Sequence, residues 1–322
     1  MSPLKDLVYR AGAGIGFHHL GRLRHRSELL ILVYHGVHRG STPGSVWHFL
    51  PEGALERQLR YLRRHYQVLH LDDALDALYA GSISRPTAAV TFDDGYRNNR
   101  TVAFPILEAL EVPATIYLST GLIGTDRTLW TFEIEQWVVR STNTEVDLSQ
   151  WGPGVVRLGD EKARRSIARS IIEELKRCGP AARRKELGTL EAVLAPAPGQ
   201  LGDELAMMDW ADVAQLQASG LIRFGAHTVD HEIVSRLSDS ELGQQIAGSV
   251  SEVGNRLSSP SPTFAYPNGK PADFDDRAPR ELAAHDIRYA VSTIEGLNNP
   301  ETDPYALRRI TIANDTPLWE FK

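Results

Sequence analysis

The residues of this chain that could do chemistry fall in short clusters. Thr91-Phe92-Asp93-Asp94-Gly95-Tyr96 places two adjacent carboxylates at the end of an apolar run. Such a pair is costly to bury unless a cation, a shared proton or solvent compensates it. With a metal ion present, one aspartate serves as a ligand and its neighbour is left to act as a base. An Asp-Gly turn or a helix N-cap would use the same residues without chemistry. His227-Thr228-Val229-Asp230-His231 spaces two histidines four apart, which on a helical turn puts both on one face and within reach of one ion. Two imidazoles and a carboxylate leave a coordination position open for water, as catalysis requires. With 11 histidines in the chain, an ordinary surface pair is the simpler alternative. Phe264-Ala265-Tyr266-Pro267-Asn268-Gly269 joins a fixed φ to a permissive one, a turn able to aim a backbone N–H at a substrate oxygen.

The elements that must position these clusters are strands. Leu29–Tyr34, Ala88–Phe92, Ala114–Leu118, Leu221–Ala226, Thr263–Tyr266, Tyr289–Ser292 and Arg309–Ile312 are short apolar runs of strand character. Helical patterns lie between them: Leu55, Leu59 and Leu62 at helical spacing, Leu71–Tyr79, Thr101–Leu110, and Ser240–Leu257 with Ser238 or Asp239 as N-cap. Strands alternating with helices predict a parallel sheet with helical crossovers, an α/β fold of the (β/α) barrel kind. Barrel chemistry sits on loops at the C-terminal ends of strands, and all three clusters pass that test. His35, in Tyr34-His35-Gly36-Val37 after the first strand, passes it too. Between about residues 125 and 203 the strands stop. Two helical stretches (Glu133–Arg140 and Glu161–Lys176) and the Pro/Gly-rich segment Ala195–Gly202 predict a helical insertion that walls one side of a substrate groove.

Composition narrows the classes. A net charge of -6 gives no electrostatic reason to expect nucleic acid. The single cysteine, Cys178, cannot form an intrachain disulfide or a thiolate zinc site, so any metal falls to His and carboxylate ligands. No apolar stretch is long enough for a transmembrane segment. The first 28 residues are expected to form an N-terminal helical segment, with weak membrane-surface contact through its basic residues as the alternative to packing on the domain. No signal-peptide pattern is evident, which favours a cytoplasmic location. Oligomeric state is not readable.

The succession TFDDGY, HTVDH and a Pro-Gly turn after a strand resembles the polysaccharide deacetylases of the NodB-homology type, carbohydrate esterase family 4, from about Leu29 to Ile312. The resemblance implies a distorted (β/α) barrel occupying 29–322. It also implies metal-dependent removal of N-acetyl groups from an N-acetylglucosamine-type glycan, releasing acetate and a free amino sugar. Zinc is the metal expected, with cobalt, nickel or iron(II) compatible. Carried onto this sequence, Asp93 is the base, and Asp94, His227 and His231 are the metal ligands. Thr228 steadies the histidine loop, and the Tyr266-Pro267-Asn268 turn supplies an oxyanion or substrate contact.

Two departures mark the chain. The arginine that pairs with the base in the family's third motif is missing from AYPNGK, leaving Arg308 or Arg309 as candidates. The C-terminal Leu-x-x-His that supplies the acid is absent as well, because no histidine follows His285. His35 resembles the N-terminal Tyr-His of the poly-N-acetylglucosamine deacetylase branch and takes the acid role by that comparison. An O-acetyl esterase, a deacetylase of a small or lipid-linked glycoside, and an inactive glycan-binding protein on the same fold are the competing readings.

Overall fold

The computed structural model describes residues 21, 24–40, 48–197, 206–314 and 316–321. In chain order its strands are β1 (Leu29–Tyr34), β2 (Gly36–His38), β3 (Phe49–Pro51), β4 (Gln67–Val68), β5 (Thr87–Phe92) and β6 (Ala114–Leu118). They continue as β7 (Glu145–Leu148), β8 (Gly154–Arg157), β9 (Ile222–Ala226), β10 (Thr263–Ala265), β11 (Tyr289–Val291) and β12 (Ile310–Thr311). The main sheet runs β11-β10-β9-β6-β5-β1-β12, with β4 paired beside β5. Every pairing within it is parallel. All six residues of β5 and all five of β6 are buried, because a parallel strand is covered on both faces and so reads as a continuous apolar run.

The sheet curls until its two edges meet. Leu307, three residues ahead of β12, bridges Val291 of β11. Its amide donates to the Ala290 carbonyl at 3.0 Å and its carbonyl accepts from the Ser292 amide at 2.8 Å. The fold is thus the distorted (β/α) barrel expected. Helices pack on its outside through one apolar stripe each, as in Glu52–His65, which buries Leu55, Leu59 and Leu62. Helix Asp239–Arg256 begins at Ser238, whose hydroxyl and backbone exchange hydrogen bonds with Glu241 in a capping box. The helix expected over Thr101–Leu110 opens instead with a widened π turn, Asn99–Ala103, before the α-helix Phe104–Ala109.

The insertion is richer than the two helices expected. It contains helices Trp130–Arg140, Glu161–Leu175 and Pro180–Leu194 and the antiparallel hairpin β7–β8. The hairpin was hidden because only Val146 and Leu148 alternate inward, two positions among charged neighbours. These elements share a core of their own, including Trp130, Ile134, Leu148, Trp151, Ile171 and Leu190. The N-terminal helical segment, with its suggested membrane-surface contact, lies almost wholly outside the described residues. Among the described residues no helix is long and apolar enough to cross a membrane.

Candidate active site

Four strand ends build the site. Beyond β5, Asp93 donates its amide to the Tyr34 carbonyl at 2.9 Å, which ties it to the end of β1. Asp94 then turns into the left-handed region (φ 78) and Gly95 follows (φ 88). A Cβ on Gly95 would stand 2.9 Å from Leu118, so only glycine fits beneath this turn. Beyond β9, His227 donates its amide to the Leu118 carbonyl at 2.9 Å.

The two histidines are not on a helix, contrary to the spacing argument. They sit on an irregular loop in which Thr228 (φ 60) and His231 (φ 56) are both left-handed. Those bends, not helical periodicity, bring the imidazoles together, with ring centroids 4.9 Å apart. Positive φ in residues other than glycine is uncommon and costs of order 1–3 kcal/mol each. Of the seven such residues described, four (Asp94, Thr228, His231 and Asn268) lie on the loops of the candidate site.

The first grouping is Asp94, His227 and His231, whose ligand atoms lie within 4.8 Å of one another. His227 Nε2 stands 3.5 Å and His231 Nε2 3.3 Å from Asp94 Oδ1. That oxygen is buried yet makes no hydrogen bond. His227 Nδ1 lies 2.7 Å from the Ala265 carbonyl, which can only accept, so Nδ1 carries a proton and Nε2 of the neutral ring presents its lone pair. Burial pushes the Asp94 carboxyl up, but the two imidazoles overcome it and hold it well below the ordinary value. Burial pushes His227 down, and the neighbouring aspartates more than offset this and raise it. Converging donor atoms, an unpartnered buried carboxylate oxygen and a field of two carboxylates fit a divalent cation.

The second grouping is the base and its counterion. Arg309, fully buried, donates from Nη1 to Asp93 Oδ1 at 2.8 Å and from Nη2 to Oδ2 at 2.7 Å, a bidentate pair. Nη1 also reaches the Thr91 hydroxyl at 3.1 Å, and Nε donates to the Ser292 carbonyl at 2.7 Å. Burial raises the Asp93 carboxyl, yet Arg309 and then His227 outweigh it and hold Asp93 below its ordinary value. Of the two arginine candidates, Arg309 therefore meets the aspartate. Arg308 instead packs its side chain over Gly296.

His35 lies at the end of β1 with Nδ1 buried and unpartnered. Its carbonyl accepts from Asn99 Nδ2 at 2.6 Å, and its ring contributes to the field felt by Asp93, Asp94 and His231. Gly36 is required beside it, because a Cβ there would fall 2.4 Å from the Phe49 ring. Thr228 accepts the Glu232 amide on Oγ1 at 3.1 Å and so closes the histidine loop.

The Tyr266 turn departs from its expected role. The Tyr266 amide donates to the Val291 carbonyl at 3.1 Å, so this N–H completes the β10–β11 pairing instead of facing a substrate oxygen. Pro267 is buried and has no N–H to offer. Asn268 (φ 58) accepts the Thr293 hydroxyl on its carbonyl at 2.5 Å, anchoring the turn to the next loop.

One site residue was not anticipated. His48 stands with its ring 5.2 Å from that of His35 and its Nε2 3.5 Å from the buried Tyr96 hydroxyl. Burial, reinforced by His35, pushes its imidazole down to about 3, so it is neutral near pH 7. It precedes a three-residue strand and lies outside the three strand-end clusters, so its place at the site is set by tertiary folding.

A family model described as polysaccharide deacetylase matches residues 80–290. This chain belongs to the polysaccharide deacetylase family. Solved structures extend the fold of this deacetylase domain beyond the matched segment. The Streptococcus pyogenes deacetylase PplD in complex with acetate superposes with a TM-score of 0.60 at 17% identity, covering 91% of this chain and 96% of that one. IcaB from Ammonifex degensii gives 0.58 at 18% identity, over 91% and 94% of the two chains. A de-N-acetylase from Aggregatibacter actinomycetemcomitans gives 0.57 at 15%, over 91% and 98%. At these identities the likeness speaks for the fold. No curated protein matched the sequence.

Proposed function

We propose that this deacetylase removes N-acetyl groups from an N-acetylglucosamine-type glycan, with Asp94, His227 and His231 holding a divalent cation, zinc in the first instance. The observation that carries the reading is the juxtaposition of two differently served aspartates. Asp94 faces two imidazoles with a bare oxygen, while Asp93 is bound through both oxygens to Arg309. Neighbours in sequence are thereby divided into a ligand and a base. When bound, the cation supplies Lewis acidity toward the acetyl carbonyl and acidifies a water.

Asp93 takes the proton of the attacking water, and Arg309 keeps that carboxylate ionised and aimed until it does. His35 then gives a proton to the departing amine, since an amide does not readily expel an unprotonated nitrogen. The His48 ring stands beside that of His35, 5.2 Å away. The Tyr266 amide is engaged in the sheet, so a cation held by Asp94, His227 and His231 would supply the positive charge that the reacting carbonyl oxygen needs.

The test is acetate release from N-acetylglucosamine oligomers by protein loaded with Zn²⁺ or Co²⁺. Asp93→Asn should lower the rate by about 10²- to 10⁴-fold while zinc still binds. A fully active Asp93→Asn protein would overturn the assignment of the base, and a wild type unable to bind a divalent ion would overturn the metal site.

A further inference from the structure

The loop that carries both histidines is tethered from two directions. On the barrel side, Gln245 Oε1 accepts the amides of Val229 and Asp230 at 3.0 and 2.9 Å, and its Nε2 donates to Asp230 Oδ2 at 3.0 Å. On the other side the tethers come from the insertion. Arg127 reaches Asp230 Oδ1 at 3.4 Å across a largely exposed gap. Arg183, on helix Pro180–Leu194, donates to the carboxylate of Glu232. This second contact is buried, with Arg183 2% and Glu232 8% exposed. The guanidinium also donates to the Cys178 carbonyl at 3.3 Å and lies 4.7 Å over the Trp130 ring, so the insertion's own core fixes its position.

Glu232 immediately follows His231, and its amide closes the loop onto Thr228. The ion pair therefore acts one residue from a histidine held at φ 56. A backbone in that region persists only where its surroundings over-determine it. A buried ion pair is weak evidence of stability, because an apolar pair of similar volume often does as well; its attested use is to specify one arrangement. What it specifies here is the path of the chain between Thr228 and Glu232, and so the direction of the His231 imidazole.

We propose that Arg183 is a positioning residue: through Glu232 the insertion grips the histidine loop and sets how tightly the site retains its metal. This rests on the reading of Asp94, His227 and His231 as metal ligands, and it gives the insertion a task at the reaction centre. Partners one step removed from a metal typically change affinity by 10- to 100-fold when lost.

The experiment measures Zn²⁺ affinity by competition with a chromophoric chelator, together with the visible absorption spectrum of the Co²⁺-loaded protein. Wild-type binding tests the metal reading by itself. Given that binding, Arg183→Met should weaken zinc by about ten-fold or more and alter the cobalt spectrum, with Arg183→Lys falling between. The double variant Arg183→Met/Glu232→Met removes the stranded charge; it should regain melting temperature but not affinity. Glu232→Gln keeps the side chain's shape and carries the same readouts should Arg183→Met fail to fold. Folded variants with wild-type affinity and an unchanged cobalt spectrum, whatever their melting temperature, would overturn the proposal.

Discussion

At the scale of single residues, the site turns on how one buried cation is spent. Arg309 opposes the burial that would otherwise protonate Asp93, so the base is ionised throughout the neutral range. Arg309→Met removes the largest opposition to that burial. The acid limb of the kcat/KM profile should move to higher pH, so activity at pH 6 falls relative to pH 8; an unmoved limb would show that Arg309 does not tune the base. The same variant strands a buried carboxylate and should cost about 3–5 kcal/mol in denaturant titration. In the wild type the sign is fixed by the depressed pKa. The pair's contribution is complete above the ordinary carboxylate value of 3.8 and is lost as pH falls through the lower folded value, so acid unfolding monitored by circular dichroism should steepen only there. His35→Ala should lower the rate of acetate release by about 10²-fold with zinc affinity retained, and a full rate would return His35 to a packing role. The aspartates and histidines were legible because their spacing and strand-end positions are local. His48, Arg183 and Gln245 were not, since each meets the site only through tertiary folding.

At the scale of elements, seven of the eight strands of the main sheet were readable nearly to the residue because both-sided burial writes itself as unbroken apolar runs, whereas the short β2, β3 and β4 were not. The histidine loop was misread as a helical turn, because a spacing of four is shared by a helix and by a loop with two left-handed residues. Helix Asp239–Arg256 presents Gln245 to that loop and starts from the Ser238 capping box. Ser238→Ala should cost about 1 kcal/mol of stability while acetate release is unchanged at temperatures well below melting. A loss of activity in folded protein would mean that fraying of this helix reaches Gln245. The β7–β8 hairpin escaped notice because four-residue strands with two apolar positions fall below what periodicity can distinguish.

At the scale of the whole molecule, the described residues form three hydrophobic clusters, two built on the barrel strands and their helices and one inside the insertion. The barrel was legible from its rhythm of strands; the insertion's internal order was not, since its elements obey a core that no repeat announces. If the metal joins ligands from the β5 and β9 ends, it links distant parts of the chain and should stabilise the barrel by mass action. At a free ion concentration a thousand-fold above Kd, linkage amounts to about 4 kcal/mol. Chelator treatment should therefore lower the melting temperature, and readdition of zinc should restore it. Identical melting curves with and without chelator would contradict a native divalent ion at this site.

The pairing of Arg309 with Asp93 also bears on how the chain finds its topology. β12 is only two residues long, too short for its side-chain pattern alone to fix where it docks on β1. Side chains alternate across a strand, so a slip by one position would turn Arg309 from the barrel's interior to its outer face. In the observed pairing Leu32 lies opposite Ile310, and the guanidinium reaches both oxygens of Asp93. The charge pair thus works as a latch with a single keyhole, proofreading closure of the barrel as well as arming its base. Asp93→Ala should accordingly quicken amide hydrogen exchange at Leu307 and Ile312 before it does so in β6; uniform acceleration across the sheet would show that closure is enforced elsewhere.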